Sequence, residues 1–281
     1  MHFLWSLQYG PPFIKAAMSR DRFKEIHTLF RFDDKNTRQV RRQQSLLAPP
    51  VKEVSEEMER LLKRYYKLGP FISVDEQLVG FRGRCAFRMY MPSKPDRYGL
   101  KIFLAANSST CYPLTILPYL GQQTSDLAGG LGLGYYAVTK TCEQFFNGGR
   151  NITTDRWFTS MPLAAHLAAN KTTLVGTMNT NKRCIPPQLL NTRDKAVESS
   201  KFLFQNKTTL IVSYVPKPRR SVILLSTQHH TKDIVCEEKN KPEIILFYNQ
   251  TKGAVDTVDW MVKTRSTPVG ASQKDGPFST S

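Results

Sequence analysis

NITTDRWFTSMPLAAHLAANKTTLVGTMN, residues 151–179, reads as strand, helix and strand in succession. "NITT" is β-branched and short. Ser160 stands where a helix cap belongs, with Pro162 in the first turn behind it, and "TTLVGTMN" returns to extended chain. Asp155 sits where the first strand gives way to the helix. A carboxylate at the end of a central strand is costly to bury unless it is paired, hydrogen-bonded or bound to a cation. That placement poses the question of function.

Upstream, "FISVDEQL", "GLKIFLAAN" and "YPLTILPYL" are apolar runs bounded by Gly, Pro, Asn or Ser and read as a β-meander. "YYAVTKTCEQFF" follows with Tyr136, Cys142 and Phe146 at helical spacing, so the order is three strands, helix, strand, helix, strand: an α/β sheet with a mixed edge. The N-terminal part is helical. Phe23, Ile26, Leu29 and Phe30 form one stripe behind Ser19, and Val54, Met58, Leu61, Leu62 and Tyr65 form another across residues 51–66. The polar, Pro-ending stretch between them reads as a linker, in which Arg38, Arg41 and Arg42 resemble a weak nuclear address. From 182 to 241 only strands are offered ("KFLFQN", "TTLIVSYV", "SVILLST"), an all-β insertion. "PEIILFYN" reads as one more strand, leading through Lys252 and Gly253 into a helical face with Val255, Val258 and Val262.

A chain of 281 residues that is 40% hydrophobic has ample material for a core. It contains no apolar run long enough to span a bilayer, and its opening residues lack the pattern of a secretory leader, so a cytosolic or nuclear protein with no membrane partner is expected. Five scattered cysteines without a CxxC pair point to free thiols, and the N-x-S/T triplets at Asn151 and Asn206 to chance. Forty Lys and Arg against 23 Asp and Glu leave a charge of +17, which favours a polyanion. The excess is local: residues 82–101 carry Arg82, Arg84, Arg88, Lys94, Arg97 and Lys101 against Asp96 alone, with Phe81, Phe87, Tyr90 and Tyr98 interleaved. Residues 182–220 carry nine basic side chains against Asp194 and Glu198. His229, His230 and Cys236 have the wrong spacing for a zinc finger.

Among the acids, Asp75 lies inside an apolar strand, Asp155 ends one, and Asp256 and Asp259 share one face of an apolar helix start. Converging carboxylates repel one another, and a hard divalent ion relieves the repulsion, as in two-metal phosphoryl transfer. Spacing leaves a plainer alternative open, in which Asp155 caps the following helix and Asp75 pairs with an arginine of the 82–101 patch.

"ISVDEQLVGFRGRCAFRMYMPSKPDRYGLKIF", the 151–190 segment, "LIVSYVPKPRRSVILLS" and "YNQTKGAVDTVD" together resemble piggyBac-type DNA transposases and the host proteins derived from them, over residues 18–259. That resemblance implies an RNase H-like mixed sheet with flanking helices and an all-β insertion, preceded by a helical segment. Its implied divisions are 1–70 (partial dimerisation and DNA-binding region), 71–181 and 242–262 (the two parts of the catalytic core), 182–241 (the insertion) and 263–281 (an atypical tail). It implies a DDD catalytic triad at Asp75, Asp155 and Asp256, with Asp259 as a further metal-binding acid. Two Mg²⁺ ions, replaceable by Mn²⁺, would serve cleavage and strand transfer at TTAA sites in the nucleus. DNA is the expected partner, a homodimer a further one, and no small-molecule substrate is expected. Arg82, Arg84, Arg88, Lys94 and Lys101 are the groove candidates, followed by Lys182, Arg183, Lys217, Arg219 and Arg220.

The sequence departs from the family pattern in four places. Arg156 replaces the Asn that usually follows the second aspartate, and Ala254 replaces a glycine of the third motif. The chain starts inside the family's N-terminal region. After Asp259, "WMVKTRSTPVGASQKDGPFSTS" has Pro, Gly and Ser where the family helix goes on, and no Cys for a zinc-binding end. Because Lys274 to Pro277, read two nucleotides later, can encode Arg-Trp-Pro, a frameshift near Lys263 is the expected cause. Full transposition is not expected from such a chain, and a domesticated DNA-binding protein without chemistry is the alternative.

Overall fold

The computed structural model describes residues 2–29, 34–37, 39–40, 49–83, 85–191, 195–205, 208–235 and 239–265. Phe30, Arg38, Arg41, Arg42, Arg84, Asp194, Cys236 and the tail from 266 lie outside them. The chain divides into two compact units, residues 1–54 with 260–281, and 55–259.

In the first unit, helices α1 (Pro12–Ala17) and α2 (Arg20–Leu29) are joined at Met18, whose carbonyl accepts the Trp5 indole N–H at 3.0 Å. Ser19 caps α2 as its position predicts, its hydroxyl accepting from the Arg22 backbone N–H at 3.2 Å. The second amphipathic helix is α3 (Pro49–Tyr65), most of which belongs to the second unit.

Among the described residues, the second unit is built on one nine-stranded sheet. Strands β1 (Phe71–Gly80), β2 (Arg88–Tyr90), β3 (Tyr98–Asn107) and β4 (Pro113–Pro118) form the expected meander, with β2 and β4 both paired to the outer edge of β3. After α4 (Gln122–Ala128) and α5 (Leu133–Cys142), β5 (Asn151–Thr154) pairs parallel to β1, and α6 (Met161–Ala169) crosses over to β6 (Thr173–Met178), parallel to β5. The order β4-β3-β1-β5-β6 is that of an RNase H-like core. Ser160 caps α6 through the Leu163 N–H at 3.3 Å.

Beyond β6 come the short α7 (Pro187–Leu190) and strands β7 (Ser200–Gln205), β8 (Thr209–Lys217) and β9 (Arg220–Ser226). The strand-rich stretch is thus present, and it continues the same sheet: β9 pairs antiparallel to β6, with β8 and β7 outside it. A two-stranded ribbon, β10 (Ile234–Val235) with β11 (Lys241–Pro242), precedes the last helices.

One expected element is different. The "PEIILFYN" strand is a helix, α8 (Glu243–Thr251), followed by α9 (Ala254–Arg265). A short apolar run does not declare its own period. Here Ile244 and Ile245, with Phe247 and Tyr248, pack on Val175, Leu210, Val212 and Leu224 of the sheet, so burial selects the helix. α9 continues to Arg265, up to the Ser, Pro and Gly residues that begin at 266.

The sheet is covered on both sides. Ile72, Val74, Ile152, Leu174, Ile223 and Leu225 join α5 and α6 in the larger core, while their strand neighbours Val175 and Leu224 join α8 in the smaller one. Burial on both faces explains why the strands read as continuous apolar runs.

Candidate active site

Strand alternation places the acids. With Ile72 and Val74 in the larger core, Ser73 and Asp75 point to the opposite face of β1; with Ile152 in that core, Thr153 and Asp155 do the same beside β5. The parallel register matches Ser73 with Thr153 and Val74 with Thr154, so Asp75 and Asp155 each stand one residue beyond the last paired position. Crevices at the carboxyl ends of parallel strands are where open α/β sheets bind ligands.

Two hydroxyls bring the third acid to them. The Ser73 hydroxyl donates to the Lys252 carbonyl at 3.0 Å, and the buried Thr153 hydroxyl donates to Thr251 Oγ1 at 2.8 Å. Each lies two residues before an aspartate, and together they pin the turn between α8 and α9, four residues ahead of Asp256. The result is a cavity of about 190 Å³ lined by Asp75, Asp155 and Asp256 together with Tyr248 and Lys252. Thr153→Val, which keeps shape and loses the donor, is expected to destabilise the fold by about 1–2 kcal/mol in urea denaturation, with Thr153→Ser restoring stability.

Burial is the largest cause lifting the Asp75 carboxyl, to about 7; the charges of Asp155 and Asp256 push the same way, while a hydrogen bond from the Glu76 N–H at 2.7 Å and the charge of Lys94 oppose it. Asp155 is also raised, first by burial, against hydrogen bonds from the Trp157 and Phe158 N–H groups at 2.8 and 3.4 Å. Those bonds make Asp155 the cap of its own turn, while Ser160 caps the helix. The oxygen-only donor set and the repulsion within it fit a hard divalent cation. As placed, no three His, Cys, Asp or Glu side chains among the described residues stand close enough together to ligate one ion.

Several predicted residues stand elsewhere. Asp259 does not line the cavity: it lies one turn further along α9 and accepts from the Gln77 amide at 3.1 Å. Lys101 is no groove residue. It is buried, ion-paired with Glu76 at 2.6 Å, with its ammonium 4.5 Å from the Trp157 ring centroid and 5.1 Å from that of Phe103. A strand of alternating in and out residues sends Lys101 inward, where only a carboxylate and aromatic faces compensate its desolvation. Lys94 donates to the Glu76 carbonyl at 3.2 Å, and Lys182, half-buried, donates to the Thr159 carbonyl. Burial draws the Lys182 ammonium down, against the opposing charge of Asp155.

The remaining described cations are on the surface. Arg82 and Arg88 line an open cavity of about 560 Å³ with Arg97 and Tyr98, the Arg88 guanidinium lying 5.5 Å from the Tyr98 centroid. Lys217, Arg219 and Arg220 line another, of about 710 Å³, at the β8–β9 turn, and Arg183 is exposed. Ser73, Thr153, Tyr248 and Lys252 are the site residues that sequence reading missed. The i−2 positions of the two aspartates signal the first pair; Tyr248 is hidden in a run read as strand.

The family profile described as Transposase IS4 matches residues 1–274. The chain belongs to the piggyBac transposase family. It is similar to a piggyBac transposase solved by cryo-EM in a synaptic complex with hairpin DNA, with 40% identity and a TM-score of 0.84 over 92% of this chain and 54% of that one. Among curated human proteins it is 24% identical over 262 residues to PiggyBac transposable element-derived protein 3, covering 88% of this chain and 43% of the relative. It matches the Chimeric ERCC6-PGBD3 protein equally, over 24% of that protein's length. The chain therefore spans about half or less of the length of these relatives.

Proposed function

We propose that this chain carries the DNA-cleaving and strand-transferring core of a piggyBac-type transposase, working at TTAA sites in the nucleus, with Asp75, Asp155 and Asp256 as the residues that hold divalent ions. The observation that carries this reading is the convergence of three carboxylates, from the middle of β1, the end of β5 and the start of α9, on one small cavity. When bound, Mg²⁺ or Mn²⁺ would offset the charge on the attacking and leaving oxygens of a phosphodiester. The protein's own part is positional. β1 and β5 fix two carboxylates on a rigid sheet, the Ser73 and Thr153 hydroxyls fix the turn that leads to the third, and the arginine-lined surfaces bind the backbone of the duplex. Arg156, whose charge opposes the rise of the Asp155 carboxyl, also opposes a bound cation, so metal affinity and activity are expected to be lower than with Asn at that position. A homodimer belongs to the same proposal.

A second reading, DNA binding without chemistry, is favoured by the spacing of the acids, which forms no ready ligand group among the described residues. Nicking of a supercoiled plasmid bearing TTAA separates the two. Catalysis predicts Mn²⁺-dependent nicking that Asp155→Ala and Asp256→Ala each abolish; a plasmid bound by the protein yet left intact would leave only the second reading.

A further inference from the structure

We propose that Lys252 is the residue that holds a phosphate oxygen of the DNA strand at the carboxylate cavity. This rests on the reading of the cavity as a DNA-processing site and names the contact that makes it habitable for a polyanion. Three carboxylates line it, and a phosphodiester entering beside them meets like charge. Among its lining residues Lys252 is the only basic one.

The lysines nearby are committed, and Arg156, the cation beside Asp155, does not line the cavity. Lys101 is ion-paired to Glu76, Lys94 donates to the Glu76 carbonyl, and Lys182 donates to the Thr159 carbonyl. Lys252, by contrast, is exposed and makes no ion pair with another described residue.

Lys252 is also held in place. Its carbonyl accepts from the Ser73 hydroxyl at 3.0 Å, which ties its backbone to the strand of Asp75. Its ammonium lies 5.3 Å from the Tyr248 ring centroid, and the Tyr248 hydroxyl is 3.4 Å from Thr177 Oγ1 on β6, anchoring the ring to the sheet. A lysine with a fixed backbone and an aromatic surface under its head presents a point charge with reduced freedom, and for a tetrahedral oxyanion a point charge suffices. A position on the α8–α9 turn, four residues before Asp256, keeps that charge at the cavity wall.

The test is fluorescence-anisotropy binding of the full chain to a TTAA duplex across a salt series, without divalent ions, using normal DNA and DNA carrying one neutral methylphosphonate at the cleavage junction. Lys252→Ala is expected to weaken binding severalfold and to lower the slope of log affinity against log salt by about 0.9, the value of one phosphate contact. Lys252→Arg is expected to keep the slope. The methylphosphonate is expected to weaken binding by the parent and to leave Lys252→Ala unaffected, because the contact is already gone. Lys252→Ala that matches the parent in slope and affinity overturns the proposal, as does a methylphosphonate penalty of equal size in both proteins. Absence of salt-dependent DNA binding by the parent itself would instead remove the functional reading beneath it.

Discussion

Asp75→Asn is expected to raise the metal-free melting temperature at pH 7.5 and, in the same protein, to abolish metal-dependent nicking. The folded state holds the Asp75 carboxyl at about 7 against an ordinary value of 3.8. Between these values the native protein keeps a proton that the unfolded chain has released, so stability falls as pH rises through this window, by about 1.4 kcal/mol per unit. Above pH 7 the accumulated loss is about 4 kcal/mol. Asn removes the charge and keeps the oxygen that accepts the Glu76 N–H. Its gain is therefore expected at pH 7.5 and not at pH 4, at about 2–4 °C per kcal/mol for a domain of this size.

Activity goes the other way. If the three carboxylates hold a cation as proposed, replacing one of them is expected to remove several kcal/mol of transition-state stabilisation, about a thousandfold or more in rate. A metal-induced rise in melting temperature, expected in the parent by mass action, is expected to vanish as well. A variant melting at the parent's temperature at both pH values would show that the Asp75 charge is not buried at a cost.

Gly176→Ala carries the largest expected penalty to folding. A Cβ there would stand 2.1 Å from Thr159 Oγ1, 2.7 Å from the Thr154 carbonyl oxygen and 2.8 Å from Thr154 Oγ1. Gly176 lies mid-strand on β6, paired with Thr154 on one side and Leu225 on the other, so neither neighbour can retreat without breaking a ladder. The buried Thr154–Thr159 hydrogen bond of 2.7 Å occupies the space. Overpacking of this kind costs about 1–3 kcal/mol, and here a backbone oxygen places it at or above the upper end. The consequence reaches the site because Thr154 immediately precedes Asp155. A shift of about 1 Å at a reacting group costs about a hundredfold in rate, so whatever fraction folds is expected to nick slowly while binding DNA normally. Urea denaturation of Gly176→Ala, with and without Thr159→Ala, checks it. Thr159→Ala removes the nearest obstacle and should recover part of the stability; a Gly176→Ala protein as stable as the parent would mean the strands are not packed this closely.

The sequence by itself determined the strand–helix–strand unit and the Ser19 and Ser160 caps, and it singled out three aspartates that share one cavity. Local chemistry acts over a few residues: β-branched runs extend, hydroxyls cap, and an acid inside an apolar strand stands out. The family resemblance rested on the same local motifs. What lay beyond reach were choices made by distant partners. "EIILFYN" becomes helical because the sheet face beneath it accepts Ile244 and Ile245. Lys101 leaves the surface because Glu76 and Trp157 receive it. Asp256 reaches Asp75 and Asp155, and Asp259 does not, because hydroxyls from Ser73 and Thr153, some hundred or more residues away in the chain, fix one turn. Burial and long-range hydrogen bonding decide such matters, and their energies are assigned only when the tertiary fold brings the partners together.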